Sequence, residues 1–247
     1  MRSRPLHSTL PNTYEQSMNA LPVSFQGETL HLLPSGAVFW PARRLLCVAD
    51  LHLGKSDRIA RRGGPMLPPY ETHETLDRLT HDIAATDPAE VLCLGDSFDD
   101  LAAADDMAEA LKARLASLMA GRRWIWILGN HDPGPLDLGG TCLAVHRAAP
   151  LVFRHIAAPG PEAGDEGEVS GHYHPKARVT IRGRTLSRRC LLIDAARLIL
   201  PAYGAYTGGL SCDGPELTAL MTPQAEAVLL GAPPIRLPMP RQSRKPA

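Results

Sequence analysis

The sequence predicts an α/β protein, a four-layered α/β/β/α sandwich of two mixed sheets. Between Leu45 and Leu128, apolar strand-like runs alternate with stretches of helical periodicity, the pattern of a layered α/β domain. After Thr141 the apolar runs become shorter and closer together, as a second sheet packed on the first requires. Four of the apolar runs close on Asp, Asn or His. In open α/β sheets the carboxyl ends of the strands are where ligands bind, so these side chains are placed at a functional rim.

Residues 1–20 are polar, contain Pro, Asn and Ser, and are expected to be a disordered lead-in. Short strands follow at Val23–Phe25, Thr29–Leu33, Ala37–Trp40 and Leu45–Ala49, with Gly27 and Pro34-Ser35-Gly36 as turns. Residues 55–69, rich in Arg, Gly and Pro, are expected to be a loop. Leu76, Leu79 and Ile83 recur at helical spacing and predict a helix over 70–85. The run Val91–Leu94 predicts the next strand. Leu111, Leu115 and Leu118 share one face of a helix expected over 101–119. Trp124–Leu128 is the third buried strand, its two Trp residues read as core.

The second sheet is expected from Cys142–Val145, Leu151–Phe153, Ala177–Ile181, Cys190–Ile193 and Leu198–Leu200. Residues 159–168 have no apolar surface to pack and are expected to be an exposed loop. Arg182, Arg184, Arg188 and Arg189 read as the solvent face of a hairpin. The domain is thus drawn over 21–232, with a flexible Pro- and Arg-rich tail over 233–247.

Lys plus Arg and Asp plus Glu are equal at 26 each, so no bulk charge marks a polyanionic partner, although a local basic strip would suffice. The five Cys form no C-x-x-C pair, and Cys47 and Cys93 sit inside apolar runs, which points to a reducing compartment. No signal-type h-region follows the basic start, and no apolar run approaches the ~18–20 residues of a membrane span. The expected location is cytoplasmic, with no membrane association.

The chemistry lies in five short blocks: Asp50-Leu51-His52, Gly95-Asp96, Gly129-Asn130-His131-Asp132, His155, and Gly171-His172-Tyr173-His174. Asp50 and His52, one residue apart, would point the same way on a strand and can hold one cation. Asp96 is the natural bridge to a second ion held by Asn130, His155 and His172, and His174 can return to the first. Oxygen and nitrogen donors without thiolate suit Mn, Fe, Zn or Co. His146 also ends an apolar run and competes with His155, which is preferred because it lies closer to the Gly171-His172 block. His73 and His81 are eight residues apart on a helix, too far to share an ion, and read as surface.

This ordered set resembles the calcineurin-like metallophosphoesterase superfamily. Asp50-Leu51-His52-Leu53-Gly54-Lys55 with the Arg-rich stretch behind it, and Leu200-Pro201-Ala202-Tyr203-Gly204-Ala205-Tyr206-Thr207-Gly208-Gly209, resemble its DNA-ligase-associated branch. The likeness runs from Pro22 to Pro215. It implies the metallophosphoesterase fold, two divalent ions (Mn²⁺ first), and a phosphodiesterase that cuts single-stranded DNA internally in repair, linked to a DNA ligase and a helicase. His131 would carry no metal and would serve the leaving group, with Asp132 orienting its ring. Lys55, Arg58, Arg61 and Arg62 either guide a DNA backbone or form a solvated face. In Gly95-Asp96-Ser97-Phe98-Asp99-Asp100, Asp99 stands near a polar position used in many members without being an obvious equivalent. Tyr203 and Tyr206 are read as packing under the second sheet. The alternatives are a phosphoesterase for a small substrate such as a UDP-sugar lipid or dinucleotide, and a non-catalytic docking partner of a ligase or helicase.

Overall fold

The computed structural model describes residues 19–61, 63–64, 70–134, 136–159, 166–181 and 183–241. The lead-in up to residue 18, Arg62, Arg182 and residues 242–247 therefore lie outside the described residues.

The first sheet opens as an antiparallel meander of β1 (Leu21–Phe25), β2 (Glu28–Leu32), β3 (Val38–Trp40) and β4 (Leu45–Val48). Three strands then add in parallel: β5 (Glu90–Leu94), β6 (Arg123–Ile127) and β7 (Thr141–Leu143). The crossovers carry α1 (Lys55–Arg61), α2 (Tyr70–Thr86), α3 (Leu101–Asp105) and α4 (Glu109–Met119). The second sheet uses β8 (Val145–Ala148), β9 (Leu151–Arg154), β10 (Gly167–Ser170), β11 (Lys176–Ile181), β12 (Arg184–Ile193), β13 (Arg197–Ile199), β14 (Glu226–Leu229) and β15 (Ile235–Pro238), with α5 (Pro215–Leu220) before β14. Its order is β15-β14-β12-β13-β10-β9-β8, with β11 hydrogen-bonded to β12. Parallel β9–β10–β13 pairing inside antiparallel neighbours makes it mixed, like the first.

The period of two along each strand sorts side chains between layers. Ile125 and Ile127 of β6 face the second sheet, where Leu151, Phe153, Val169 and Leu198 meet them in one core. Trp124 and Trp126 face the other way, onto Leu76, Leu79 and Ile83 of α2 and Leu115 of α4. Leu217 of α5 closes the outer face of the second sheet over Cys190, Leu192 and Ile199. Each fully buried Leu contributes about 1.5–3 kcal/mol relative to exposure, so the four layers are held by three apolar seams.

Several expectations are corrected. Lys55–Arg61 is helical because α2 caps it from outside: Thr72 Oγ1 accepts the Gly54 N–H at 3.0 Å, and Glu71 Oε1 accepts the Ser56 N–H at 3.1 Å. The helix expected over 101–119 is two helices, with Asp100 capping α3 through the Ala103 N–H and Ala108 in an extended conformation before α4. Cys142–Val145 divides between the sheets. The exposed loop expected to residue 168 ends earlier, since β10 inserts between β9 and β13 with Glu168 buried against Arg197. The tail does not fray at Pro233, because β15 pairs with β14 along its full length and Met239 is buried. Arg189 turns inward and donates to the Ala202 carbonyl at 3.0 Å. Cys190 and Cys212 meet as buried thiols, Sγ to Sγ 3.2 Å. No helix among the described residues is long and apolar enough to cross a membrane.

Candidate metal centre

Past the ends of β4 and β5 the two chains keep hydrogen-bonding. The His52 N–H donates to Asp96 O at 2.9 Å, Leu53 N–H to Ser97 O at 3.0 Å, and Asp99 N–H to Leu53 O at 3.1 Å. Asp50, His52 and Asp96 all adopt the left-handed conformation, with φ of 54°, 45° and 46°. Strand alternation therefore does not aim Asp50 and His52; local turns do, in a region that Asp and His enter more readily than other side chains bearing a Cβ.

Two groups of donors form. Asp50, His52 and His174 bring one ligand atom each to within 4.8 Å of one another, and so do Asp96, His155 and His172. The groups abut, with His155 Nδ1 3.9 Å from Asp50 Oδ1 and the His172 N–H donating to Asp50 Oδ2 at 2.9 Å. Asn130 Oδ1 lies 3.0 Å from His155 Nε2. All seven residues expected as ligands are thus brought together. His146 is not among them: it sits on β8, 3.2 Å from Glu90 and with its ring tilted against that of Phe153.

The donor chemistry fits a pair of cations. The Leu94 carbonyl can only accept, so His155 donates from Nδ1, 2.8 Å away, and aims Nε2 at Asp96, Asn130 and His172; the proton that Nε2 shares with Asp96 is the one a cation would displace. Among the described residues, His52 Nε2 and His174 Nε2 are buried without a hydrogen bond of good geometry, although Asp50 Oδ1 lies 3.2 Å from His174 Nε2. Buried imidazole nitrogens without partners are rare unless something binds them. Burial alone would raise Asp96, but the His155 hydrogen bond and charge outweigh it and hold the carboxyl below its usual range. Burial lowers and the Asp96 and Asp50 carboxylates raise His155, which ends above the ordinary imidazole value. Gly95 lets this ring in: at its φ of 77°, an added Cβ would sit 2.5 Å from the His155 ring.

A third triplet, His52, Asp99 and His131, also has donor spacing. A cation is already present there, since Arg58 donates to Asp99 Oδ2 at 2.7 Å and Asp99 O at 3.0 Å. Asp99 Oδ1 lies 2.8 Å from His52 Nδ1. The Asp99 carbonyl also accepts from His131 Nδ1 at 2.8 Å, so His131 has Nε2 free to face outward. Asp99 was legible only as the acid three residues beyond Asp96, and its part in orienting both rings escaped the sequence.

Asp132 corrects an expectation. Its carboxylate does not touch the His131 ring but accepts four backbone N–H groups: Asp96 at 3.0 Å, Ser97 at 2.7 Å, Phe98 at 3.2 Å and Gly129 at 3.0 Å. It ties the loop after β6 to the loop after β5. His131 reaches the centre by its backbone too, donating its N–H to Asp96 Oδ1 at 2.9 Å.

A cavity of about 450 Å³ opens on this rim, lined by His52, Lys55, Arg58, Ile59, Gly64, Asp99, His131, His174 and Gly208. Lys55 and Arg58 are therefore at the site. Arg61 is not in the lining; it pairs with Asp100 at 2.8 Å and Asp106 at 3.2 Å. Arg62 lies outside the described residues. Tyr203 is buried, but between the first sheet and α2 rather than under the second sheet, with its hydroxyl on Asp82 at 2.8 Å, and Tyr206 is 58% exposed.

Residues 43–189 match the family model for calcineurin-like phosphoesterases. No curated protein matches the chain. Among solved structures, the nuclease MPE of Pseudomonas putida is similar, with 30% identity over 87% of this chain and 100% of that one and a TM-score of 0.65. With more than half of its length inside the family match and its ligand groups at the shared sheet rim, the chain belongs to the calcineurin-like phosphoesterases and is a metal-dependent phosphoesterase.

Proposed function

We propose that the protein is a manganese-dependent phosphodiesterase that cuts single-stranded DNA internally and serves DNA repair, in functional association with a DNA ligase and a helicase. One observation carries the nuclease class: the first ligand group opens through His52 and His174 onto a cavity walled by Lys55 and Arg58, beside which a strand's phosphates can lie, and the second group abuts the first. The likeness to a nuclease supports it.

In this reading Asp50, His52 and His174 hold one ion, Asn130, His155 and His172 the other, and Asp96 stands between them. The ions, when bound, supply Lewis acidity and bring the pKa of water toward ~7. The protein's own groups do the rest. Lys55 and Arg58 offer N–H donors to the phosphoryl oxygens, where charge builds in the transition state. His131, pinned through Nδ1 by the Asp99 carbonyl, presents Nε2 to the leaving oxygen and can hand it a proton. Asp99 holds His52 and Arg58 in register.

The test is a covalently closed single-stranded DNA circle incubated with the pure protein and Mn²⁺, beside a duplex, a dinucleotide and a UDP-sugar lipid. Linearisation of the circle is expected, with His131→Ala losing most turnover while binding metal normally. An intact circle alongside hydrolysed dinucleotide or lipid would overturn the nuclease assignment in favour of a small-substrate phosphoesterase.

A further inference from the structure

Seven large apolar side chains are exposed among the described residues, and two of them, Tyr206 and Leu210, fall on the loop that braces the metal ligands from β13. That loop is fixed at both ends. Tyr203 N–H donates to Ala49 O at 2.8 Å and Gly204 N–H to Asp50 O at 3.1 Å. Ala205 N–H donates to Thr75 Oγ1 at 3.1 Å. On the far side, the Lys176 ammonium holds Thr207 O at 3.2 Å and Leu210 N–H reaches Tyr173 O at 3.2 Å. Gly209 passes so close that a Cβ there would lie 2.1 Å from His174 O.

Tyr206 sits at the crest of this anchored loop. It takes the left-handed conformation, φ 55°, which is unusual for a bulky aromatic residue. Its ring makes no hydrogen bond or ring contact with any described residue, and more than half of it faces solvent. A conformation of this kind survives only where the surroundings impose it, and it is found where function uses it. Two residues on, Gly208 lines the cavity together with His52, Lys55, Arg58, His131 and His174. Tyr206 is thus no more than two Cα steps, about 7.6 Å, from the cavity wall. The cavity has cationic side chains on its α1 side, and the exposed Tyr206 stands outside its lining, two residues before Gly208 on the β13 side.

Resting on the nuclease reading above, we infer that Tyr206 is a specificity-determining residue that stacks on an unpaired nucleobase next to the scissile phosphate. Phosphate recognition by Lys55 and Arg58 is blind to strandedness, because a duplex presents the same phosphates. An aromatic ring is not: every base has a π face to offer when unpaired, and in a duplex that face is covered by its neighbours. The arrangement selects single strands by the base face and positions them by the backbone.

The experiment compares wild type, Tyr206→Phe and Tyr206→Asn with Mn²⁺ on a single-stranded oligonucleotide and on the same strand made abasic around its cleavage sites. Asn tolerates the left-handed backbone, so it removes the ring without disturbing the loop. On the intact strand Tyr206→Asn is expected to raise KM about tenfold or more, with kcat within about twofold, and Tyr206→Phe to stay close to wild type. On the abasic strand the three proteins are expected to have the same KM. An unchanged KM for Tyr206→Asn on the intact strand, or an equal loss on the abasic strand, would overturn the stacking role and leave the nuclease reading standing. A wild type that leaves both strands whole while hydrolysing a dinucleotide would overturn both.

Discussion

Asp132 offers the sharpest test of how the centre is built. The sequence placed it behind the His131 ring; the structure places it between two backbone loops. Oδ1 accepts from Asp96 and Gly129 and Oδ2 from Ser97 and Phe98. Asp132→Asn replaces one acceptor oxygen by an NH₂ group, so whichever way the amide turns, two buried N–H donors face another donor. Stranding a buried donor costs about 1–3 kcal/mol each, which gives about 2–6 kcal/mol for two. Relief of the burial penalty on the charge, which holds the Asp132 carboxyl above its usual range, works in the opposite direction. A net loss of about 3 kcal/mol is expected, or a fall in Tm of roughly 6–12 °C for a chain of this size. Differential scanning calorimetry on the metal-free proteins measures it without any catalytic readout. A ring-orienting Asp132 would instead cut turnover and leave Tm within about 1 °C of wild type. That result would refute the loop-tying role.

Gly95→Ala pushes a methyl group into the His155 ring at a φ of 77° and should weaken the second ion about 10–100-fold, as measured by titration calorimetry. Unchanged affinity would show that the ring can retreat. Arg58→Ala should lower kcat/KM about 10–100-fold while metal content by elemental analysis stays at the wild-type value, since Arg58 contacts Asp99, His131 and the cavity, none of them among the seven proposed ligands. Burial raises Asp82 above its unfolded value despite the Tyr203 hydrogen bond, so its contribution to stability is full below about pH 4 and is lost as pH rises through the folded pKa. Asp82→Asn should therefore be more stable than wild type near neutrality and lose that advantage toward pH 4, read from urea midpoints across the range. Metal at a hundredfold excess over its Kd should add about 2.7 kcal/mol, or roughly 5–11 °C in Tm, and a chelator should remove it.

The layered fold was legible because its signals are local and periodic. Leu45–Ala49, Val91–Leu94 and Trp124–Leu128 are apolar on both faces, as buried parallel strands must be. What was missed depends on distant partners. α1 begins where Glu71 and Thr72, more than a dozen residues on, accept its first N–H groups. β10 reads as Gly-Glu-Val-Ser, and its Glu168 is buried only because Arg197, on the neighbouring strand, pairs with it. β15 lies behind two prolines and gains its hydrogen bonds from the edge of β14. None of these partners can be read from a window of sequence.

The metal ligands show the same divide within single residues. The residue types proposed as ligands were legible; the geometry that joins them was not, and Asp50 and His52 converge by a route other than the one expected. Asp50 and His52 bring donor atoms within 4.8 Å of one another without alternating along a strand. They do so because both backbones turn left-handed, as do those of Asp96, His172 and His174. Five of the seven proposed ligands therefore sit where an ordinary side chain would be strained by about 1–2 kcal/mol. That strain would be a large part of the roughly 5–15 kcal/mol that holds a domain together. Asp and His, like Asn, carry both properties required here: a donor atom for a cation, and a polar side chain that tolerates the left-handed turn. A leucine at any of these positions would remove a ligand and also destabilise the turn that aims its neighbours. The D-x-H and G-H-x-H spacings are thus as much a constraint on backbone shape as on coordination, which explains why a pattern of residue types identifies the site while the strand geometry first assumed for it does not.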